Sequence, residues 1–96
     1  MDLGLKGKAA LVCGSSQGIG RAIADALAAE GADIVINGRS AEKLERVRAE
    51  IAGVTGAKVV NAPADLTEPS GAEALVRAAV EALGRVDILV TNTGGP

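Results

Sequence analysis

Hydrophobic and polar positions follow two different periods along the chain. Short continuous apolar runs, typical of strands buried on both faces, alternate with longer segments in which apolar residues recur at helical spacing. Gly or Pro stands at most of the junctions. The pattern predicts four strands and three helices in the order βαβαβαβ.

The predicted elements alternate without a break. The strands are predicted over residues 8–13, 33–37, 58–62 and 86–91, and the helices over 18–30, from the N-cap Ser40 onward, and over 69–83. Apolar side chains recur at helical spacing on each helix: Ile19, Ala22, Ile23, Ala26 and Leu27 on the first, Leu44, Val47 and Ile51 on the second, and Leu75, Val76, Ala79, Val80 and Leu83 on the third. We expect these side chains to face the core.

Strands separated by helices of this length form parallel sheets with right-handed crossovers. We therefore expect an α/β fold, the N-terminal half of a Rossmann-type doubly wound parallel sheet, with strand order 3-2-1-4. In such a sheet the fourth strand would have a further neighbour. Its open edge, with Ile88 and Val90 uncovered, predicts marginal stability and either self-association or pairing with a missing C-terminal segment.

Composition narrows the chemistry open to these residues. A length of 96 residues suits one small domain. With 10 Lys and Arg against 12 Asp and Glu, the chain has no excess positive charge to attract a nucleic-acid backbone. Phe, Trp, Tyr and His are absent, and Cys13 is the single cysteine. Base-stacking platforms, disulfides, zinc clusters and Ser–His pairs are thereby excluded. We expect no nucleic-acid partner and no metal site.

No apolar run approaches the roughly 20 residues that a membrane-spanning helix needs, and no signal peptide follows Met1. A lone Cys13 inside an apolar run fits a reducing compartment. We therefore predict a cytoplasmic location without a membrane partner.

The strongest local signal is a glycine-rich segment between the first predicted strand and the first helix. It consists of Gly14, Ser15, Ser16, Gln17, Gly18, Ile19 and Gly20. Glycines at this junction allow a tight turn and let a pyrophosphate approach the helix N-terminus, where free N–H groups favour an anion. A Gly-rich turn that binds nothing is the alternative.

With two later motifs, this segment resembles the short-chain dehydrogenase/reductase family, in particular members similar to bacterial 3-oxoacyl-acyl-carrier-protein reductases. The family's T-G-x-x-x-G-x-G pattern matches residues 13–20, its acidic and apolar pair after the third strand matches Asp65-Leu66, and its N-N-A-G matches residues 91–94. The resemblance implies a partial NAD(P)-binding Rossmann domain over residues 1–96, with a nicotinamide dinucleotide as partner.

The resemblance also implies roles for the later motifs. Asp65 would accept a hydrogen bond from the adenine amino group while Leu66 covers the ring, and Asn92 and Gly94 would lie beside the cofactor ribose. From the residues alone, Asp65 could instead cap the turn before Pro69, and Asn92 could be a strand-end turn residue. Three positions depart from the family pattern: Cys13, Thr91 and Thr93 stand where it has Thr, Asn and Ala.

Charge at the end of the second strand bears on the choice of cofactor. A carboxylate there would accept bonds from the ribose hydroxyls of NAD(H) and repel a 2′-phosphate, but the sequence has Gly38, Arg39 and Ser40. The guanidinium fork of Arg39 matches a phosphate, with a second bond from Ser40 or its backbone N–H. We expect NADP(H) over NAD(H). Alternatively, Arg39 is a solvated residue at a helix start.

Two functions stay open. Family members use a Ser, a Tyr and a Lys for catalysis, and since the sequence has no Tyr the resemblance assigns no catalytic residue here. The chain is the NADP(H)-binding portion of an oxidoreductase that interconverts a carbonyl and an alcohol by hydride transfer, or it is an inactive truncated nucleotide-binding or interaction module. A reading frame continuing past Pro96 into a Ser and a Tyr-x-x-x-Lys would favour the first.

Overall fold

The structure, a computed structural model, describes residues 4–91. The elements are β1 (Ala9–Val12), α1 (Gly18–Ala29), β2 (Asp33–Gly38), α2 (Ala41–Thr55), β3 (Val59–Pro63), α3 (Pro69–Leu83) and β4 (Ile88–Val90). All the strand pairs are parallel, and the order is β3-β2-β1-β4. The predicted alternation and strand order are confirmed.

The ends of the strands differ from the prediction by one or two residues. β1 ends at Val12 and β4 begins at Ile88. The backbone bonding runs slightly further, because the Cys13 N–H donates to Val90 C=O at 2.9 Å and the Asp87 N–H donates to Ala9 C=O at 2.8 Å. The contact between β1 and β4 therefore extends one residue beyond the strand bounds at both points.

The two faces of the sheet are covered by different helices. Val12, Ile34 and Ile36 pack with α1 and α2 on one face, whereas Leu11 and Val35 pack with α3 on the other. This division follows from the alternation of side chains along each strand. β2 is buried from Ile34 to Gly38, as its β-branched run predicts.

The second helix has the predicted inward face. Leu44, Val47 and Ile51 are its buried residues. Ser40 is the N-cap, and its hydroxyl oxygen accepts the Lys43 N–H at 3.2 Å. This bond satisfies one of the donors that a helix N-terminus leaves unpaired.

The first helix presents a different face to the sheet from the one predicted. Its buried residues are Gly20, Ala24 and Ala28, four residues apart, whereas Ile19 is 75% exposed. Two further residues of the predicted inward face, Ala22 and Ala26, are also exposed. Small side chains let the helix axis approach the strands closely, and the larger Ile23 and Leu27 pack at the margins of the core.

On α3 the predicted inward face is correct only in part. Leu75 and Ala79 are buried, but Val76 and Val80 are 48% and 43% exposed. The helix packs against β1, β2 and β3. Val76 lines a groove shared with Leu89 of β4, so this flank of α3 is only partly covered within residues 4–91.

β4 lies at one edge of the sheet, paired to β1. Leu89 is 55% exposed, while Ile88 and Val90 are half-buried and Val90 packs on the α1–α2 side. Within residues 4–91 the other side of β4 has no paired strand. The most exposed side chain is Leu89 and not the predicted Ile88 and Val90, because side chains alternate along the strand and Val90 packs on the face covered by α1 and α2.

Asp87 ties the start of β4 to β1. Its Oδ2 accepts the Ala9 N–H at 2.8 Å and the Arg85 Nε–H at 2.8 Å. The bond from Ala9, followed by that from Arg85, lowers the pKa of Asp87.

Among residues 4–91 no helix is long and apolar enough to cross a bilayer. The cytoplasmic location stays a prediction.

Candidate functional site

Three of the four predicted motifs meet at the carboxyl end of the sheet. In parallel strands the carboxyl ends lie on the same side, which is where open α/β sheets bind ligands. The segments that emerge there are residues 14–17 after β1, named here the glycine loop, Arg39-Ser40 after β2 and Asp65-Leu66 after β3. The fourth motif, with Asn92 and Gly94, falls outside the described residues.

The glycine loop turns sharply into α1. Gly14 and Gly18 have φ values of 59° and 63°, a left-handed conformation that favours glycine. The first intrahelical bond joins the Arg21 N–H to Gln17 C=O at 3.4 Å, so the N–H groups of the preceding helical residues 18–20 have no partner in the helix. The first turn carries no acid. The start of α1 is therefore suited to an anion.

Ser15 stabilises the turn by hydrogen bonds made from a buried position. It is fully buried, and its hydroxyl donates to Val12 C=O at 2.8 Å while accepting the Asn37 N–H at 2.8 Å. Its own N–H donates to Asn37 C=O at 2.7 Å. Both donors of Ser15 are used inside the protein, so the residue shapes the glycine loop.

The Asn37 side chain, which no sequence motif singled out, joins the glycine loop to the end of β3. Asn37 is 2% exposed. Its Oδ1 accepts the Gly14 N–H at 3.0 Å, and its Nδ2 donates to Ala62 C=O at 3.1 Å and Ala64 C=O at 3.3 Å. A polar residue inside an otherwise apolar buried strand was the available signal, because buried polar groups are hydrogen-bonded.

Gly38 allows β2 to lie against the glycine loop. A Cβ at this position would lie 3.1 Å from both Cβ and Oγ of Ser16. The glycine therefore permits a close approach in addition to leaving the strand end without a carboxylate. Arg39, the next residue, is exposed.

Asp65 closes a local turn. Its Oδ1 accepts the Thr67 N–H at 2.9 Å and the Thr67 hydroxyl at 2.6 Å. These bonds lower the pKa of Asp65, and the charge of nearby Arg39 lowers it further. The turn-forming alternative for Asp65 is thus present. Leu66 is half-buried and packs against the core under α3.

A contact between the two helix starts was not indicated by the sequence. The Lys43 ammonium, on the first turn of α2, donates to Oε1 of Gln17, the N-cap of α1. The ammonium therefore stands between the glycine loop and the segment that carries Arg39.

Comparison with known proteins gives consistent matches. Residues 8–96 match the family described as short chain dehydrogenase. The chain is 42% identical over 88 residues to D-beta-hydroxybutyrate dehydrogenase of Rhizobium meliloti, covering 91% of this chain and 34% of that protein. It is 46% identical over 90 residues to glycine betaine reductase of Emericella nidulans, covering 94% of this chain and 7% of that protein.

Solved structures agree with these matches. L-sorbose reductase from Gluconobacter frateurii, complexed with NADPH and L-sorbose, has a TM-score of 0.95 at 39% identity, over 99% of this chain and 36% of that one. A short chain dehydrogenase from Burkholderia cenocepacia in complex with NADP has a TM-score of 0.87 at 44% identity, over 95% and 37%. The chain thus spans about a third of the length of most of these proteins. The narrower resemblance to 3-oxoacyl-acyl-carrier-protein reductases stays a prediction.

Proposed function

Since the chain belongs to the short-chain dehydrogenase family, we propose that it binds the adenine and pyrophosphate end of NADP(H) within an oxidoreductase that interconverts a carbonyl and an alcohol. The proposal rests on the convergence of the glycine loop, Arg39 and Asp65 at the carboxyl end of the sheet. When bound, the cofactor supplies or accepts the hydride. The alternative, an inactive nucleotide-binding or interaction module, shares this site and differs in turnover alone.

The pyrophosphate is assigned to the start of α1. The N–H groups of residues 18–20 precede the helical hydrogen-bond ladder, and no acid in the first turn competes with an anion. The left-handed Gly14 and Gly18 hold the backbone in the turn that exposes these donors. The backbone of Ser16 and Gln17 completes the wall of this phosphate site, and Ser15 supports it from inside.

The adenine is assigned to Asp65 and Leu66. Both bonds from Thr67 use Oδ1 of Asp65, which leaves Oδ2 to accept a bond from the adenine amino group. The lowered pKa of Asp65 keeps the carboxylate ionised as an acceptor. Asn92 and Gly94 are proposed to lie beside the ribose at the end of β4.

The preference for NADP(H) is assigned to Arg39 and Ser40. Arg39 is exposed and takes part in none of the ion pairs within residues 4–91. The Ser40 oxygen accepts the Lys43 N–H, so its hydroxyl hydrogen is available to a phosphate oxygen. Together they provide a charged and a neutral donor for the 2′-phosphate.

Arg39→Ala should weaken NADPH binding by about fivefold to tenfold and leave NADH binding within about twofold, because one exposed charge-assisted contact to phosphate is lost. Titration of both cofactors, followed by their own emission, measures this in a chain without Trp or Tyr. Arg77→Ala, which removes another exposed charge, from α3, is the control. Equal weakening of both cofactors by Arg39→Ala would rule out this assignment.

Adding Gly38→Asp to Arg39→Ala should reverse the preference toward NADH, but the aspartate would also press on Ser16. The single substitution at Arg39 isolates the charge.

We also propose that the open edge of β4 is a pairing surface for a further segment or a second copy. Beside it, a groove of about 260 Å³ between β4 and α3 is lined by apolar side chains that include Leu11, Leu75, Val76 and Leu89. No charged residue occurs within β4 itself, although charges are the usual protection of an edge strand.

The isolated 96-residue chain should therefore self-associate, and Leu89→Lys should shift it toward monomer because a charge on an edge strand opposes pairing. Sedimentation velocity over a range of protein concentrations measures the distribution. Val54→Lys, at an 87% exposed residue near the end of α2, is the control and should leave the distribution as it is. A monomeric parent chain that unfolds cooperatively would contradict the proposal.

A further inference from the structure

Lys43 bridges the N-termini of two helices. It is the third residue after the N-cap Ser40, and its backbone N–H is already used by the Ser40 hydroxyl oxygen. Its half-buried side chain extends toward α1, where the ammonium donates to Oε1 of Gln17. The ammonium is thus held between the phosphate site at α1 and the segment that carries Arg39.

This is an unfavourable place for a cation without an anion beside it. Helix N-termini carry partial positive charge and stabilise acids, not bases. None of the four ion pairs within residues 4–91 involves Lys43, and the first turn of α1 contains no acid. The first-turn acid of α2, Glu42, is adjacent in sequence, and adjacent residues on a helix do not face each other.

We propose that Lys43 is a second cation for the 2′-phosphate of NADP(H), and that Gln17 is the positioning residue that holds it there. The inference rests on the proposed function. An ammonium has three donors, so Lys43 can keep its bond to Gln17 while donating to a phosphate oxygen. The phosphate supplies the negative charge that the start of α1 and the Lys43 ammonium lack in the free protein.

Arg39 and Lys43 are not equivalent in this arrangement. Arg39 lies close enough to Asp65 for its charge to lower the pKa of that carboxyl, whereas no carboxylate within residues 4–91 pairs with Lys43. Neither cation takes part in an ion pair within these residues, so both charges are available to the ligand. Removing Lys43 should therefore weaken NADP(H) binding and relieve repulsion in the free protein.

Lys43→Met is the test, with Lys58→Met as its matched control. Lys58 precedes β3, at the amino end of the strands and so away from the candidate site. Its ammonium donates to Ala82 C=O at 3.3 Å. We expect Lys43→Met to weaken NADPH binding by about fivefold, with NADH binding within about twofold and the Tm of the free protein equal or higher. Lys58→Met should change neither affinity, and Lys43→Arg should retain most of the NADPH affinity.

A double-mutant cycle tests the role of Gln17. Gln17→Ala should weaken NADPH binding when Lys43 is present and have little effect in the Lys43→Met background, because the two side chains act as one unit. Equal losses in both backgrounds would overturn the positioning role of Gln17.

The outcomes separate this inference from the proposed function. If the parent chain binds NADPH and Lys43→Met binds it equally well, the role of Lys43 is wrong and the proposed function stands. If Lys43→Met lowers the Tm and weakens both cofactors alike, Lys43 is structural and the inference is overturned. If the parent chain binds neither cofactor, both the proposed function and the inference are overturned.

Discussion

Asn37→Leu is expected to lower the free energy of unfolding by about 3 kcal/mol. The substitution keeps the number and branching of the side-chain heavy atoms but removes the bonds that the Asn37 amide makes with the Gly14 N–H and with the carbonyls of Ala62 and Ala64. Asn37 is 2% exposed, so water does not readily replace the lost bonds. A domain of this size has a total stability of about 5–15 kcal/mol, and the loss is a large share of it.

Urea unfolding followed by far-ultraviolet circular dichroism measures the change, at one fixed protein concentration because association would alter the apparent stability. Asn61→Leu is the matched control, since Asn61 lies opposite Ile36 in the β2–β3 register. Its amide makes one long bond, 3.4 Å to Glu45, so the expected change is within about 0.5 kcal/mol. If both variants lost a similar free energy of unfolding, the hydrogen bonds of Asn37 would contribute nothing special to stability.

The same substitution should also weaken NADPH and NADH binding alike. Without the Asn37 amide, its bonds to the Gly14 N–H and to Ala62 C=O are lost, and it no longer joins the glycine loop to the end of β3. The phosphate donors at the start of α1 serve both cofactors. This uniform loss distinguishes Asn37→Leu from Arg39→Ala, which acts on the 2′-phosphate alone.

Gly71→Ala is expected to cost about 3 kcal/mol through overpacking. An added Cβ would lie 2.1 Å from the carbonyl oxygen of Asp65 and 3.0 Å from its carbonyl carbon. A backbone carbonyl cannot rotate aside as a flexible side chain can, so the start of α3 or the turn after β3 must move. Because Thr67 and Asp65 are joined in that turn, binding at the adenine end should weaken as well.

Gly53→Ala is the control for a change of the same chemistry. Gly53 lies inside α2, and a Cβ there meets no atom within 4 Å. Alanine favours the helix by about 0.5–1 kcal/mol over glycine, so this variant should be more stable than the parent. The two glycine substitutions are thus expected to have opposite signs, measured by the same urea unfolding. A stabilising Gly71→Ala would contradict the close packing of α3 on Asp65.

The order of elements and the placement of the candidate-site segments could be predicted from local sequence signals. Buried strands need continuous apolar runs, amphipathic helices need a helical period, and parallel strands joined by helices have one preferred handedness. These constraints predict the order β3-β2-β1-β4 and place the glycine loop, Arg39 and Asp65 at the carboxyl end of the sheet. Ser40 was identified as an N-cap because its hydroxyl bonds within the first turn of its own helix.

The tertiary structure alone decided which faces and which distant residues come together. α1 approaches the sheet through Gly20, Ala24 and Ala28 because small side chains allow close packing, although larger apolar residues were available on the helix. Asn37 meets Gly14, 23 residues away, and Lys43 meets Gln17, 26 residues away. Such pairs depend on how closely the elements pack and on how the loops turn, and neither quantity is encoded in the periodicity of one segment.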